Sequence, residues 1–429
     1  MTMLLAPQEQ GVEPPLDTRS LEVADAIGCR LVRDAVWSGG RCNWLAWTQE
    51  PFAGALHPVL RAGGPDLYLG AAGIGLYLAH LCTVTHDRAQ RQAAEGAALR
   101  VAEALAARPP EGTGFYSGAG GAAWGLARMG QALEEERWVR AGLDALAAAA
   151  RRAEDTALLD LLAGHAGLVL ALVDCAGRHG RPELLDPAQR LAERLVAAGQ
   201  SSPEGTSWPS GFGETRNLLG LSHGTAGIAL ALLELHRVRP DPRWRDTALD
   251  ALRYERALFD PQRGNWPDFR ALPGAPPGPG STVAWCHGAT GVGFARLRMH
   301  DLLPGDPAIL PELDVALARA VEALNAPMTP LTDFTLCHGA FGHSELLLMA
   351  GRRFGRADVS AAARRAAEVA YTLVHQPRLP WACGIPGCGE SPSLMTGTAG
   401  IGMHYLRLYD PAAAPGILLP HVPVPAPAG

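Results

Sequence analysis

Two short blocks, Trp285-Cys286-His287-Gly288 and Leu336-Cys337-His338-Gly339, each set a thiol and an imidazole side by side just ahead of a glycine. Thiolate sulfur and imidazole nitrogen suit Zn²⁺, and a thiol at the start of a helix has its pKa lowered toward the ligating thiolate. About fifty residues separate the two blocks, so they make one site only if the fold brings equivalent turns together. In that case Cys286, Cys337 and His338 converge on one metal. His287 leaves the count open. Four donors would make a closed Cys2His2 site of structural type, and three would leave a position for water or substrate; adjacent residues seldom both reach one metal. The same residues also fit buried, inert thiols with locally satisfied histidines.

A third block, Asn217-Leu-Leu-Gly-Leu-Ser-His223-Gly224, puts a single imidazole ahead of a glycine in the same way. Upstream, Asp160-Leu-Leu-Ala-Gly164 places a carboxylate inside an otherwise apolar segment. A buried carboxylate needs a partner, and His223 is the natural candidate. A carboxylate-oriented imidazole beside a zinc is an acid/base arrangement, although His223 taken singly also fits a capping or core histidine. His165 is a further candidate for the pocket. The segment Trp381-Ala-Cys383-Gly-Ile-Pro-Gly-Cys388-Gly-Glu390 reads as a turn-rich surface loop, not as a second metal site.

Positioning these groups falls to a repeat. Seven Gly-x-x-Gly tetrads in apolar surroundings begin at Gly70, Gly118, Gly164, Gly224, Gly288, Gly339 and Gly397, spaced 48, 46, 60, 64, 51 and 58 residues apart. A period near fifty with variable length marks stacked supersecondary units whose extra residues sit in loops. After the tetrads come runs such as Ile228-Ala-Leu-Ala-Leu-Leu233, which read as buried helices. Between them lie amphipathic stretches: Ala94, Ala98, Val101 and Leu105 share one helical face, as do Val359, Ala363, Ala366, Ala370 and Leu373. Each repeat is then one outer and one buried inner helix. The fold expected is an all-α, α/α toroid of seven helical hairpins whose glycine turns open the inner helices at a common axis.

Composition narrows the function. All 37 basic residues are arginine, against 43 acids, for a net charge of -6, with no basic run; nucleic-acid binding is not expected. The N-terminus lacks a basic start and a long apolar stretch, so neither a signal peptide nor stable membrane insertion is expected, and a cytoplasmic location follows. Eight cysteines in 429 residues are too sparse for a disulfide scaffold. Residues 1–20 are expected to be poorly ordered, 21–410 to form one toroid, and 411–429 to be a Pro/Ala-rich tail; Leu272–Ser281 reads as a long loop.

The blocks Trp285-Cys-His-Gly-Ala-Thr-Gly291, Leu336-Cys-His-Gly339 and Leu394-Met-Thr-Gly-Thr-Ala-Gly-Ile-Gly402 resemble those of the lanthionine synthetase C-like proteins. So do Asp66-Leu-Tyr-Leu-Gly-Ala-Ala-Gly-Ile-Gly75 and Gly40-Arg-Cys-Asn-Trp44, and the likeness is nearest to the cyclase half of the fused class II synthetases. It covers nearly the whole chain. The resemblance implies one zinc held by Cys286, Cys337 and His338, with His287 a neighbour and the fourth position open to a substrate thiol. The implied reaction adds a peptide cysteine to dehydroalanine or dehydrobutyrine, with His223 as acid/base and Asp160 orienting it. A dehydrated precursor peptide and a separate dehydratase are the implied partners, the chain being too short for a dehydratase half. Addition of another thiol such as glutathione, or a non-catalytic scaffold for the precursor, are the other readings. Thr282 stands where stand-alone members often carry an arginine, and Arg216 is a candidate substitute.

Overall fold

A computed structural model describes residues 16–52, 55–211, 214, 216–270 and 279–420. Fourteen α-helices run through the described residues in two concentric sets. The outer set is α1 (Leu16–Arg33), α3 (Arg88–Ala107), α5 (Glu136–Ala153), α7 (Leu185–Ala198), α9 (Pro242–Ala257), α11 (Ile309–Asn325) and α13 (Ala357–Ala370). The inner set is α2 (Ala71–Thr85), α4 (Ala119–Ala132), α6 (His165–His179), α8 (Thr225–Val238), α10 (Ala289–Leu302), α12 (Ala340–Phe354) and α14 (Thr398–Tyr409). Each inner helix from α2 to α12 packs on the outer helix that follows it. The inner helix α14 takes α1 as its outer partner and also touches α2, which closes the toroid. The fold is the α/α toroid expected from the repeat.

Inner and outer helices begin differently. Two outer helices, α3 and α9, are started by side chains: Asp87 accepts from the backbone N–H groups of Ala89 and Gln90 at 2.8 Å, and Asp241 precedes Pro242 and accepts from Arg243. All seven inner helices have the first glycine of a tetrad at the N-cap, with no side-chain cap. The second glycine answers a different demand. A Cβ at Gly73, Gly121, Gly167, Gly227, Gly291, Gly342 or Gly400 would run into the carbonyl oxygen of the residue six positions earlier. The entering loop folds back onto the first turn of its own helix, and only glycine leaves it room.

Those loops are joined in a ring. The residue two before each first glycine donates its N–H to the carbonyl of its counterpart in the next repeat: Tyr68 to Tyr116, then Leu162, Ser222, Cys286, Cys337, Met395 and back to Tyr68, at 2.9–3.4 Å. Seven bonds thus close a circle at the mouth of the inner helices. Backbone groups at helix N-termini would otherwise lack partners, and the ring satisfies one donor per repeat.

Several features depart from expectation. Residues 16–20 open α1, with Ser20 fully buried. Within residues 411–420 the stretch 417–420 packs inward: Ile417, Leu418 and Leu419 are buried, Tyr116 Oη donates to Ile417 O at 2.8 Å and Trp285 Nε1 to Leu418 O at 2.9 Å. Residues 1–15, 421–429 and, of the expected loop, 272–278 lie outside the described residues. Three antiparallel hairpins interrupt the helices: β1 (Val36–Ser38) with β2 (Arg41–Asn43), β3 (Leu45–Phe52) with β4 (Ala55–Ala62), and β5 (Gln200–Ser202) with β6 (Gly205–Ser207). No helix among the described residues is long and apolar enough to cross a membrane.

Helix α10 carries buried charge. Arg296 is fully buried and pairs with Glu255 at 2.8 Å and with Glu312. Glu255 in turn accepts from Gly220 N at 2.9 Å and Thr225 Oγ1 at 3.0 Å, on either side of His223. Removing one partner of such a network leaves an uncompensated buried charge. Arg296→Met is therefore expected to cost about 3–5 kcal/mol in denaturant unfolding. A loss within about 0.5 kcal/mol, the range of ordinary surface substitutions, would show that the network does not hold this part of the ring.

Candidate metal centre

The hydrogen-bonded ring makes Cys286 and Cys337 neighbours, since Cys286 N–H bonds to Cys337 O at 3.4 Å. Their sulfurs and a ring nitrogen of His338 lie within 4.8 Å of one another, the span of one coordination sphere. His338 is held by Gly384 O, 2.5 Å from Nε2, with Asp333 Oδ2 at 3.8 Å. The bond to a carbonyl makes Nε2 the protonated nitrogen and Nδ1 the donor available to a metal. Tyr68 Oη donates to Cys337 Sγ at 2.9 Å. Three donors converge as expected.

His287 is not among them. Its ring stacks on that of His223 with centroids 5.5 Å apart, and its Nε2 is buried with no hydrogen-bond partner among the described residues. Burial pushes its pKa down to about 4, with Arg270 adding to the effect against the opposing charge of Cys286. The donor set is open, and the closed Cys2His2 alternative has no geometric support.

The electrostatics of the cluster ask for a cation. Cys286 is driven well below the usual thiol range by the hydrogen bond from Cys337, against its burial and with help from His338. Cys337 is driven up by burial and by the Cys286 charge. Burial would lower His338, but the hydrogen bond to Cys286 and the charges of Cys286 and Asp333 raise it to about 9. Burial thus opposes charge on Cys337, while the Cys286 charge favours it on His338. A divalent ion among them would displace the protons of Cys337 and His338 and hold both sulfurs ionised, so the residues fit zinc.

One ring position away, Ser222 N–H and Oγ bond to Cys286 O, which sets His223 beside the cluster. His223 Nδ1 lies 2.6 Å from Asp160 Oδ2, and Asp160 Oδ1 accepts from Ala163 N at 2.7 Å. The expected carboxylate–imidazole pair is present and mostly buried. The bond to Asp160 makes Nδ1 the protonated nitrogen and leaves the ring lone pair on Nε2.

Other expectations are corrected. His165 is a core histidine: it sits inside the start of α6, bonds to Ala153 O at 2.7 Å and is lowered in pKa by burial. Arg216 pairs with Glu204 at 2.9 Å, half-exposed on the surface, and is no substitute for an arginine at position 282. The loop with Cys383 and Cys388 is not peripheral, because its Gly384 carbonyl orients His338 while Trp381 and Cys383 are buried. Tyr68 escaped notice although it stands two before Gly70, the register of Cys286 and Cys337. Asp160, four before its glycine, is matched by Asp66, whose Oδ1 accepts from Leu69 N at 2.8 Å in the same kind of turn.

A family model described as Lanthionine synthetase C-like protein matches residues 61–419. The lacticin 481/lactococcin biosynthesis protein LcnDR2 of Lactococcus lactis subsp. lactis is 23% identical over 207 residues, 47% of this chain and 22% of that protein. The chain thus spans about a fifth of the length of the curated relative that it matches. The solved structure of nisin cyclase superposes with a TM-score of 0.64 at 15% identity, over 81% of this chain and 89% of that one, a likeness of fold.

Proposed function

We propose, from the premise that the chain belongs to the lanthionine synthetase C-like family, that it is a zinc-dependent cyclase closing thioether rings in a dehydrated precursor peptide. The observation that carries this reading is the open Cys286–Cys337–His338 set one ring position from the Asp160–His223 pair. Zinc bound there would hold an incoming cysteine sulfur as thiolate at neutral pH, where a free thiol of pKa about 8.5 is mostly protonated.

The chain's own residues supply the rest. Asp160 fixes the tautomer of His223, so that Nε2 takes the proton leaving the substrate thiol. The sulfur adds to Cβ of dehydroalanine or dehydrobutyrine, a new C–S bond replaces the C=C π bond, and the electron pair moves onto the adjoining carbonyl oxygen. His223 then returns its proton to Cα, and the peptide gains a ring without a change of mass. A dehydratase must act first to make the alkene, and a cytosolic setting keeps the reacting thiols reduced.

The test is to incubate zinc-loaded protein with a dehydrated Cys-containing peptide and count alkylatable thiols. Loss of thiols at constant peptide mass supports the cyclase. A mass increase equal to an added small thiol such as glutathione would favour intermolecular addition, and untouched thiols beside tightly bound peptide would favour a scaffold.

A further inference from the structure

We propose that Arg270, clamped by the buried carboxylate of Asp268, donates to the carbonyl oxygen that becomes an enolate when sulfur adds at this centre. The inference rests on the cyclase reading and assigns that reaction a residue which the sequence motifs do not mark. Addition of a thiolate to a dehydroamino acid places an electron pair on a carbonyl oxygen, and a preorganised donor aimed at that oxygen is worth more than one recruited from water. His223 spends its proton on carbon, and His338 is committed to the metal set. A third group must meet the oxygen.

Arg270 has the placement. Its Nε lies 3.0 and 3.2 Å from the two Asp268 carboxylate oxygens and its Nη2 lies 2.6 Å from Oδ2, while Nη1 has no hydrogen-bond partner among the described residues. The charges of Cys286 and Cys337 act on Arg270, and that of Arg270 acts on His287, so the guanidinium is coupled electrostatically to the thiol cluster. Local Asp/Arg pairs two residues apart also occur at Asp241–Arg243 and Asp358–Arg356, but those lie at the surface. The Asp268 side chain is 1% exposed and that of Arg270 is 22% exposed. A buried acid thus clamps a partly open arginine.

The clamp is fastened to the metal-bearing segment at both ends. Thr282 Oγ1 donates to Asp268 Oδ2 at 3.0 Å, four residues before Cys286. Asn265 spans the same segment, with Nδ2 donating to Thr282 O at 3.0 Å and Oδ1 accepting from Ala289 N at 2.8 Å, three residues after Cys286. Asp268 and Gly280 exchange backbone bonds at 2.8 and 3.0 Å. Arg270 is therefore held in register with the Cys286 segment through Asp268, Thr282 and Asn265. Thr282 anchors the acid that holds the guanidinium. An arginine keeps its proton at any working pH and offers a planar fork, so Lys at this position would retain the charge and lose the geometry.

The experiment compares wild type with Arg270→Ala, Arg270→Lys and the double variant Asp268→Asn/Arg270→Gln, which removes the charge pair without leaving a buried acid alone. Metal per chain, affinity for a peptide with alanine in place of dehydroalanine, kcat and KM are read for each. The expected result is unchanged metal and unchanged analogue affinity, with kcat lowered about 10²–10³-fold in Arg270→Ala and in the double variant. Arg270→Lys should recover part of that loss. Wild-type turnover in the double variant would overturn the assignment, because Arg270 would then serve only to neutralise Asp268. A wild-type protein that cyclises while Arg270→Ala matches it overturns this role alone, whereas a wild type that leaves peptide thiols untouched removes the cyclase reading and this role with it.

Discussion

Cys337→Ala is expected to leave the toroid folded while abolishing both metal binding and thiol consumption. The ring bond at this position is made by the backbone, Cys337 N–H to Met395 O at 2.9 Å, so alanine keeps it. What disappears is one of three donors and the acceptor of the Tyr68 hydroxyl. With two donors the remaining site no longer has the three protein ligands of a catalytic zinc. A free thiol is a few per cent ionised at neutral pH, so loss of the metal withdraws a factor on the order of thirty in thiolate. Loss of positioning adds about a hundredfold or more. Turnover should fall by about three orders of magnitude, with Cys286→Ala and His338→Ala behaving alike. Elemental analysis per chain and alkylation of the peptide check this together. Metal retained at one per chain with turnover intact would show that the three residues are not the site.

The second large effect is expected at His223. His223→Ala should retain metal and lower kcat by about 10²–10⁴, the range for a lost general acid/base. Asp160→Asn should act in the same direction, because an amide nitrogen facing Nδ1 favours the tautomer with the proton on Nε2. Asp160 also accepts from Ala163 N, so part of any loss could come from the turn. Asp66 provides the control. It makes the equivalent bond to Leu69 N in the first repeat, and no imidazole is bonded to it among the described residues. Asp66→Asn should therefore leave kcat within a few-fold of wild type. Equal losses at Asp66 and Asp160 would assign the effect to loop geometry and remove Asp160 from the reaction.

Much of this site is legible because it repeats. Cys286 and Cys337 both stand two before the first glycine of a tetrad, and His223, His287 and His338 stand one before it. Once the tetrads are read as equivalent turns around an axis, residues of one register must come to one height. The same logic marks Tyr68, which the absence of a thiol or imidazole hid. The register does not say how far apart neighbouring turns lie or which way a side chain leaves its loop. His287 shows the limit, sharing its register with both His338 and His223 yet stacking on His223 instead of reaching the metal set.

The three hairpins and the burial of residues 417–420 fall outside the repeat, and so outside its predictive reach. Segment 411–420 is rich in Pro and Ala and reads as a loose tail, but the burial of 417–420 rests on partners such as Trp285 and Tyr116, supplied by distant repeats. Likewise α1 packs mainly on α14, an inner helix from the far end of the chain that closure brings to it.

The amino-acid sequence by itself determined the seven-fold helical toroid, the Cys286–Cys337–His338 cluster and the Asp160–His223 pair, because glycine spacing and side-chain type are local properties that recur in register. Tertiary structure alone decided that His287 stays outside the donor set, that Gly384 orients His338, and that Arg216 lies at the surface while Arg270 is paired with the buried Asp268. Those outcomes depend on side-chain direction and on contacts between segments far apart in the chain, which closure of the ring sets and no spacing encodes.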